Sequence, residues 1–293
     1  MTIEQEEPEF YGNNRRSKKT KKERKHKIEW TKKTWNPFVG CTKISPGCKN
    51  CYAKTLTGRG LHDHHTKASK WLGQIVSAPN SIWLKPYSWR KAELIFVNSL
   101  SDVFHDNVPP EWLARLLGII EDTPQHQYQI LTKRPGNIMP HLAKIGRTGL
   151  PDNIWIGTSV EESAYKWRID ELRKVPAKLR FLSVEPVTGR VGNLDLSGIH
   201  WVITGGESGP GARRADPNWF REVQESVLSQ DVRFFFKQWG KPQFNPLSAR
   251  FLTEGELGET LKDFICRVEG HESVEDMPKG GCSLDGKFWL QMP

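Results

Sequence analysis

The sequence predicts an α/β fold built on a partial or full parallel (β/α) barrel. Short apolar runs alternate with segments of helical periodicity along most of the chain, and this alternation is typical of a parallel sheet with right-handed crossovers. Most of the runs are nearly continuously apolar, as strands covered on both faces are. Six of them end in polar residues, and polar groups from several strand ends on one rim favour a barrel over a doubly wound sheet.

The predicted strands and helices alternate in chain order. The strands are residues 94–98, 128–132, 154–158, 180–183, 201–204 and 232–236, and an earlier strand is expected near residues 28–30. Apolar residues recur at helical spacing in residues 111–121 and 162–175. A third helix begins after Asp216, an N-cap residue that Pro217 follows at the first helical position. The repeated unit is therefore strand, loop and helix.

Length and composition allow one large domain and exclude two classes of protein. The 293 residues are 37% hydrophobic and 10% aromatic, which suffices to bury a full core. No run of about 18 apolar residues is present, so we expect no membrane span. The amino terminus lacks an apolar signal-peptide core and the five cysteines are an odd number, so a secreted disulfide framework is not expected. We predict a cytoplasmic location.

A basic tail precedes the predicted barrel. Residues 15–27 hold nine lysines and arginines and one glutamate, a net charge of +8, whereas residues 4–9 are acidic. Such a segment cannot offset its ordering entropy by burial, so residues 1–27 are predicted to be disordered. The tail either attracts nucleic acid through its phosphates or serves as a solubilising extension. We expect the barrel in residues 28–245 and a C-terminal extension packed on it in residues 246–293.

Three cysteines in one short segment are the strongest functional signal. They are Cys41, Cys48 and Cys51, and the bends that turn their sulfurs toward one point come from Gly40, Pro46 and Gly47. A structural zinc site closes with four ligands, whereas a [4Fe-4S] cluster on three thiolates keeps one iron free for a substrate or cofactor. The segment therefore predicts a metal centre, with an iron-sulfur cluster favoured.

Eight motifs between residues 28 and 240 resemble a known family. They are residues 28–30 (IEW), 35–37 (WNP), the cysteine segment, 96–105 (FVNSLSDVFH), 131–135 (LTKRP), 183–186 (SVEP), 205–208 (GGES) and 236–240 (FKQWG). Together they resemble a phage-associated three-cysteine protein family of largely unassigned function, and more widely the radical S-adenosylmethionine (SAM) superfamily. Their order is also similar to that of the spore photoproduct lyase branch.

The resemblance has two departures. The cysteine spacing is CxxxxxxCxxC, whereas the superfamily's usual spacing is CxxxCxxC. The Gly-Gly-Glu motif, which usually follows the second strand and contacts the amino group of SAM, here follows about the sixth strand. The corresponding early strand instead ends at Ser99, Ser101 and Asp102, short polar groups able to face a methionine moiety or a ribose.

The resemblance implies a partial barrel of the radical SAM type, a [4Fe-4S] cluster on the three cysteines, SAM as a cofactor and a reductant protein as a partner. Lys133 and Arg134 are either anchors for a carboxylate or phosphate group or ordinary surface cations. The rim glutamates either contact a ribose, an amine or a substrate or pair with one of those cations. The candidate cofactor-binding residues are Ser99, Ser101, Asp102, Lys133, Ser159, Glu161, Glu185, Gly205, Gly206 and Glu207. No catalytic residue is assigned.

Two functions of different classes follow. The first is a radical SAM-like enzyme that modifies or repairs nucleic acid or a nucleotide. The alternative is a non-catalytic, zinc-stabilised nucleic-acid-binding protein, in which His62, His64 or His65 completes the zinc site. The polar strand ends favour the enzyme, since a structural zinc requires none of them. Cys266 and Cys282 are either inert buried thiols, ligands of a second centre or hydrogen donors.

Overall fold

The computed structural model describes residues 30–58 and 72–293. Within them, the strands are β1 (Lys33–Trp35), β2 (Phe38–Val39), β3 (Val76–Ser77), β4 (Leu94–Val97), β5 (Gln127–Thr132), β6 (Ile154–Ser159), β7 (Leu179–Val184), β8 (Trp201–Thr204), β9 (Arg233–Phe236), β10 (Ser283–Leu284) and β11 (Lys287–Phe288). The helices are α1 (Tyr52–Gly58), α2 (Asn80–Trp83), α3 (Lys85–Ser88), α4 (Pro110–Glu121), α5 (Ile138–Lys144), α6 (Trp167–Arg173), α7 (Pro217–Leu228), α8 (Leu247–Glu254) and α9 (Leu261–Glu269).

A seven-stranded parallel sheet forms the centre of the described structure. Its order is β1-β4-β5-β6-β7-β8-β9, and every neighbouring pair is parallel. Because sheet order follows chain order, all strands end at one edge and the crossovers pass on one face. The predicted α/β parallel architecture is confirmed, and the sheet is open, with β1 and β9 at its two sides.

The two faces of the sheet carry different side chains. Ile95, Val97 and Ile130 belong to the large core cluster that includes Leu113 and Leu116 of α4. Because side chains alternate along a strand, the residues between them point to the opposite face. The helices therefore cover one face of the sheet, and a second cluster of side chains forms on the opposite face.

Aromatic rings fill much of that second face. Trp30, Phe96, Phe181, Trp201 and Phe235 form a separate buried cluster, in which the rings of Trp30 and Phe96 meet edge to face with centroids 4.7 Å apart. A Cβ atom at residue 157 of β6 would lie 2.5 Å from the ring of Phe181, so the glycine there leaves room for that ring. The aromatic side chains on this face of the sheet are thus closely packed.

The strand predicted near residues 28–30 lies mostly outside the described residues. Residues 28 and 29 lie outside the described residues, Trp30 lies in a turn, and the first sheet strand is Lys33–Trp35. Its register pairs Trp35 with Val97 of β4. The strand was missed because two of its three residues are polar, so it lacks the apolar run that marks the other strands.

The helix predictions are confirmed for two elements and only in part for the third. Asp216 caps α7 by accepting a hydrogen bond from the Asn218 N–H at 2.8 Å, and α4 covers the predicted 111–121 segment. The predicted helix 162–175 is shorter, because Glu162 is extended and a 3-10 turn over Ser163–Tyr165 precedes α6.

The last residues of the chain cover the outer side of β9. The Phe236 N–H donates to the Trp289 carbonyl at 2.7 Å, and the Gln291 N–H donates to the Phe234 carbonyl at 3.2 Å. This antiparallel pairing satisfies edge groups of β9. The predicted tail, residues 1–27, lies outside the described residues. No helix in the described part of the chain is long and apolar enough to span a bilayer.

Candidate metal centre

The cysteine loop, residues 40–51, lies against the carboxyl end of β4. The Gly40 N–H donates to the Leu100 carbonyl at 3.2 Å, and Gly40 pairs with Ser101 in a parallel bridge. A 3-10 turn over Pro46–Cys48 folds the middle of the loop, and the loop ends where α1 begins. The three cysteines thus come from three differently oriented parts of one loop at the carboxyl edge of the sheet.

Cys48 lies between the other two cysteines. Cys48 is buried, whereas Cys41 and Cys51 are half-buried, and negative charge on Cys48 would raise the pKa of both neighbours. Burial is the larger cause: it raises the pKa of the Cys41 thiol to about 12 and also raises that of Cys51. Because their pKa values are raised, the Cys41 and Cys51 thiols are protonated at neutral pH without metal, so metal binding must release protons there.

The cysteine loop supplies three thiols, whereas a structural zinc site closes with four protein ligands. The histidines considered as a fourth zinc ligand, His62, His64 and His65, lie outside the described residues.

A buried arginine connects the loop to the ends of β4 and β5. Arg134 Nη1 lies 3.1 Å from Asp102 Oδ2 and 3.7 Å from the Cys41 sulfur. Its Nη2 donates to the hydroxyl and the carbonyl of Thr42 at 2.6 and 3.3 Å. Asp102 also accepts bonds from the Thr132 hydroxyl and the Lys133 N–H. Asp102 and Arg134 therefore fix the Cys41 end of the loop.

A second carboxylate fixes the middle of the loop. Glu161, fully buried after β6, lies 3.0 Å from Lys133 Nζ and 2.7 Å from Arg168 Nη1. Its Oε1 accepts a 2.7 Å bond from the Ser45 hydroxyl. Burial alone would raise the pKa of Glu161, but Lys133 and Arg168 lower it overall. A Cβ at Gly47 would lie 2.6 Å from the Glu161 side chain, so the loop approaches this carboxylate as closely as glycine allows.

A third carboxylate fixes the far end of the loop. Glu207 Oε1 lies 2.7 Å from Arg213 Nη2, and its Oε2 accepts a 3.0 Å bond from Asn50 Nδ2. Arg213 also donates to the Pro46 carbonyl at 2.9 Å. Burial acts to raise the pKa of Glu207, but its hydrogen bonds with Arg213 and Asn50 lower it overall. Asn50 and Arg213 thus connect the Glu207 carboxylate to the cysteine loop.

The two glycines before Glu207 are explained by backbone packing. A Cβ at Gly206 would lie 2.3 Å from the Trp239 carbonyl oxygen, and the Gly206 N–H donates to the Gln238 carbonyl at 2.8 Å. The Gly205 N–H donates to the Val184 carbonyl at 3.3 Å. These contacts bring the ends of β7, β8 and β9 together, which directs Glu207 toward the cysteine loop.

Other rim groups lie beside the loop without holding its backbone in the same way. Glu185 pairs with Lys237 at 2.8 Å, and both side chains are largely buried. The Tyr52 hydroxyl donates to the Ser99 carbonyl at 2.8 Å. The pKa of Tyr52 is raised, mainly by desolvation and to a smaller extent by negative charge on Cys51 and Glu185. Glu185 therefore lies close to the end of the cysteine loop.

The remaining candidates have distinct surroundings. Ser99 Oγ donates to Asn36 Oδ1 at 3.2 Å, and the Ser159 carbonyl accepts a 2.9 Å bond from Arg168. Ser101 Oγ is buried with no hydrogen-bond partner among the described residues. Since a buried unpaired polar group costs about 1–3 kcal/mol, Ser101 is a natural contact for a bound molecule.

Sequence reasoning missed three residues of this region. Arg168 and Arg213 complete the ion pairs of Glu161 and Glu207, but each arginine comes from a segment without a recognisable motif. Asn98 follows β4 with φ 54°, and both polar atoms of its buried amide lack partners among the described residues. An asparagine directly after an apolar strand is the signal that would have drawn attention to it, because asparagine tolerates left-handed backbone geometry.

Comparisons with known proteins give a family and a distant structural match. A solved structure of a spore photoproduct lyase mutant with bound AdoMet and dinucleoside spore photoproduct has a TM-score of 0.41, with 13% identity over 70% of this chain and 56% of that chain. This chain thus spans little more than half of that protein's length. No curated protein matches the sequence. The family described as "Protein of unknown function (DUF5131)" matches residues 25–293. The chain therefore belongs to the DUF5131 family.

Proposed function

We propose that this protein is a radical SAM-like iron-sulfur enzyme whose cluster is held by Cys41, Cys48 and Cys51. The observation that carries the proposal is a loop with three thiols, fixed to the carboxyl edge of a parallel sheet by carboxylates from several strand ends. Three thiolates leave one iron of a [4Fe-4S] cluster without a protein ligand. Such a cluster with SAM would supply a deoxyadenosyl radical for hydrogen abstraction.

The ion pairs assign most of the charged rim groups a holding role. Asp102, Glu161 and Glu207 each already have a cation and a contact with the cysteine loop or its neighbours. In this proposal they fix the ligand geometry, because preorganised ligands need partners that lock their orientation. SAM would then contact groups that still have unused hydrogen-bonding atoms. After β4, the buried side chains of Asn98 and Ser101 have such atoms.

The Glu185–Lys237 pair is proposed to recognise the polar end of SAM. Glu185 lies close enough to Tyr52, at the end of the cysteine loop, for its charge to raise the pKa of Tyr52, and the pair presents one negative and one positive group at 2.8 Å. Hydroxyls of a ribose accept and donate hydrogen bonds, and an amino acid carries both charges, so such a pair suits either part of SAM.

An anionic substrate, nucleic acid or a nucleotide, is proposed from the charge of the loop. Lys43, Lys49 and Lys54 are exposed, and residues 40–54 contain no aspartate or glutamate. Lysines on one surface attract phosphates and raise the local substrate concentration. The basic segment 15–27 would add to this attraction. A reductant protein, as electron donor in a reducing cytoplasm, is the second proposed partner.

Reductive cleavage of SAM tests the proposal. The full chain would be reconstituted anaerobically with iron and sulfide, reduced with dithionite, and assayed for 5′-deoxyadenosine by liquid chromatography. We expect product from the wild type and from Cys266→Ser, whose cysteine lies outside the loop, and none from Cys48→Ser. An iron-loaded wild type that forms no 5′-deoxyadenosine would remove the enzyme assignment.

A further inference from the structure

We propose a second metal site, formed by Glu269, His271 and Cys282, that binds one divalent cation of the zinc type. This set is called the C-terminal cluster below. Its ligand atoms, a carboxylate oxygen, an imidazole nitrogen and a sulfur, all lie within 4.8 Å of one another. It is separate from the cysteine loop, and the inference does not depend on the proposed enzymatic function.

The distances are close to those of a tetrahedral site. His271 Nε2 lies 3.0 Å from Glu269 Oε2 and 3.9 Å from Cys282 Sγ. Zinc bonds of about 2.0–2.3 Å place such nitrogen–oxygen and nitrogen–sulfur pairs about 3.3 and about 3.6 Å apart. Shifts of a few tenths of an ångström would therefore bring both of these pairs to the spacing of zinc ligands, and the third pair lies within 4.8 Å.

The chain orients the carboxylate firmly. Glu269 ends α9 and is buried, and it accepts bonds from Asn245 Nδ2 at 3.1 Å, the Ser283 hydroxyl at 2.9 Å and the Cys282 N–H at 2.9 Å. A Cβ at Gly281 would lie 2.5 Å from Glu269 Oε1. The glycine thus lets the segment that carries Cys282 approach the carboxylate, and such partners of a ligand typically raise metal affinity.

Helix termination places the imidazole. Gly270 follows α9 in the left-handed conformation, with φ 71°, and the His271 N–H then donates to the Cys266 carbonyl at 2.9 Å. This C-terminal turn brings His271 back over the end of α9. The histidine ring also meets Phe288 at 5.6 Å, which limits its rotation.

A neighbouring cavity gives independent support for a ligand at this site. His271 and Cys282 line a cavity of about 580 Å³ together with Trp30, Phe235 and Lys237. This volume lies in the range of small-molecule sites. Three protein ligands with a fourth position toward a cavity are typical of zinc sites that bind water or substrate, whereas purely structural zinc has four protein ligands.

The donor set selects the kind of ion. A thiolate and an imidazole suit Zn²⁺ or Co²⁺, whereas Mg²⁺ and Ca²⁺ prefer oxygen ligands throughout. Lys237 connects the cavity with Glu185 at the rim. The molecule that completes the coordination is expected to have an apolar or aromatic body, because Trp30 and Phe235 line the cavity.

Cobalt titration of the full chain without iron tests the site. In the background Cys41→Ser, Cys48→Ser and Cys51→Ser, we expect one Co²⁺ per chain with a sulfur-to-cobalt charge-transfer band. Adding Cys282→Ser should remove the band, and adding His271→Gln should weaken Co²⁺ binding at least tenfold. His200→Gln, at an exposed histidine outside the C-terminal cluster, is the matched control for His271→Gln and should bind as the background does. Ser283→Ala should lower the affinity about 10- to 100-fold through Glu269.

Two results would overturn the site. One is a folded triple variant that binds no Co²⁺, and the other is binding that Cys282→Ser leaves unchanged. If the triple variant does not fold, Co²⁺ binding is compared between the wild type and Cys282→Ser. Less bound Co²⁺ in Cys282→Ser supports the site, and equal binding contradicts it. Because no iron is present, failure here leaves the cluster proposal untouched, and a missing iron cluster leaves this site untouched.

Discussion

The cysteine loop and the C-terminal cluster use cysteine and carboxylate in opposite ways. In the loop, carboxylates such as Glu161 pair with arginine or lysine and hold the neighbouring backbone. In the C-terminal cluster, Glu269 itself lies among the prospective ligands, and all ligand atoms fall within 4.8 Å. The position of the carboxylate therefore distinguishes the two regions: it is bonded to cations beside the loop, and it lies among the donor atoms in the C-terminal cluster.

The largest expected effect separates the two regions by metal content. Cys48→Ser removes the central thiol of the loop and should abolish iron binding, because the remaining two thiolates cannot hold a cluster. Cys282→Ser should retain the wild-type iron content after anaerobic reconstitution. Iron and sulfide analysis, with circular dichroism to verify the fold, makes the measurement. Equal iron loss in both variants would contradict the assignment of iron to the loop.

The next effect concerns the charges that hold the loop. Glu161→Gln leaves the buried Arg168, only 1% exposed, without its counter-charge. Removing one partner of a buried ion pair costs about 3–5 kcal/mol of the free energy of unfolding. Urea denaturation should show this loss, and the cluster should assemble less completely. Glu162→Gln, on the adjacent and less buried residue, is the control, and an equal loss there would show that the Glu161 pair does not hold the loop.

A smaller effect tests the close approach of the loop to Glu161. Gly47→Ala places a Cβ about 2.6 Å from the Glu161 side chain, and overpacking of this kind costs about 1–3 kcal/mol. Gly118→Ala in α4 meets nothing within 4 Å and should stabilise the protein by about 0.5–1 kcal/mol, because alanine is the better helix former. Thermal unfolding of both variants gives the comparison, and a stable Gly47→Ala would contradict the packing.

The smallest expected effect concerns substrate attraction. Lys43, Lys49 and Lys54→Ala together should lower the salt dependence of single-stranded nucleic acid binding, by a slope of up to about 2. The control replaces Lys91, Lys144 and Lys178, exposed lysines that precede β4, β6 and β7 at the opposite edge of the sheet. Fluorescence anisotropy over a range of salt concentrations measures both. Equal slopes in the two triple variants would leave the loop without a role in phosphate binding.

The sequence predicted the fold well where a local pattern carries it. Six strands were visible because each is an apolar run of four to six residues, and Asp216 announced α7 by its capping chemistry. Strand β1 was not predicted at residues 33–35, because the polar residues Lys33 and Thr34 interrupt its apolar pattern. The sheet is open because β1 and β9 lie at its two sides and do not pair with each other, and no local sequence pattern predicts this.

The candidate site was predictable in position but not in its partners. Polar residues after parallel strands must meet at one edge, so Asp102, Glu161 and Glu207 could be placed together from the sequence. Arg168 and Arg213, which neutralise two of them, are identified only by the folded structure. The C-terminal cluster was equally hidden, because Glu269 and Cys282 are joined through a turn whose path the sequence pattern does not show.

Electron paramagnetic resonance of the reduced, reconstituted protein tests whether the cysteine loop holds a cluster with a free iron. We predict a [4Fe-4S] signal in the wild type that changes when SAM is added, because SAM would bind the iron that the three cysteines leave free. The Cys282→Ser variant should give the same change, and Cys48→Ser should give no cluster signal. A cluster signal that SAM leaves unaltered, or a protein that binds zinc but forms no cluster at the loop, would contradict the account.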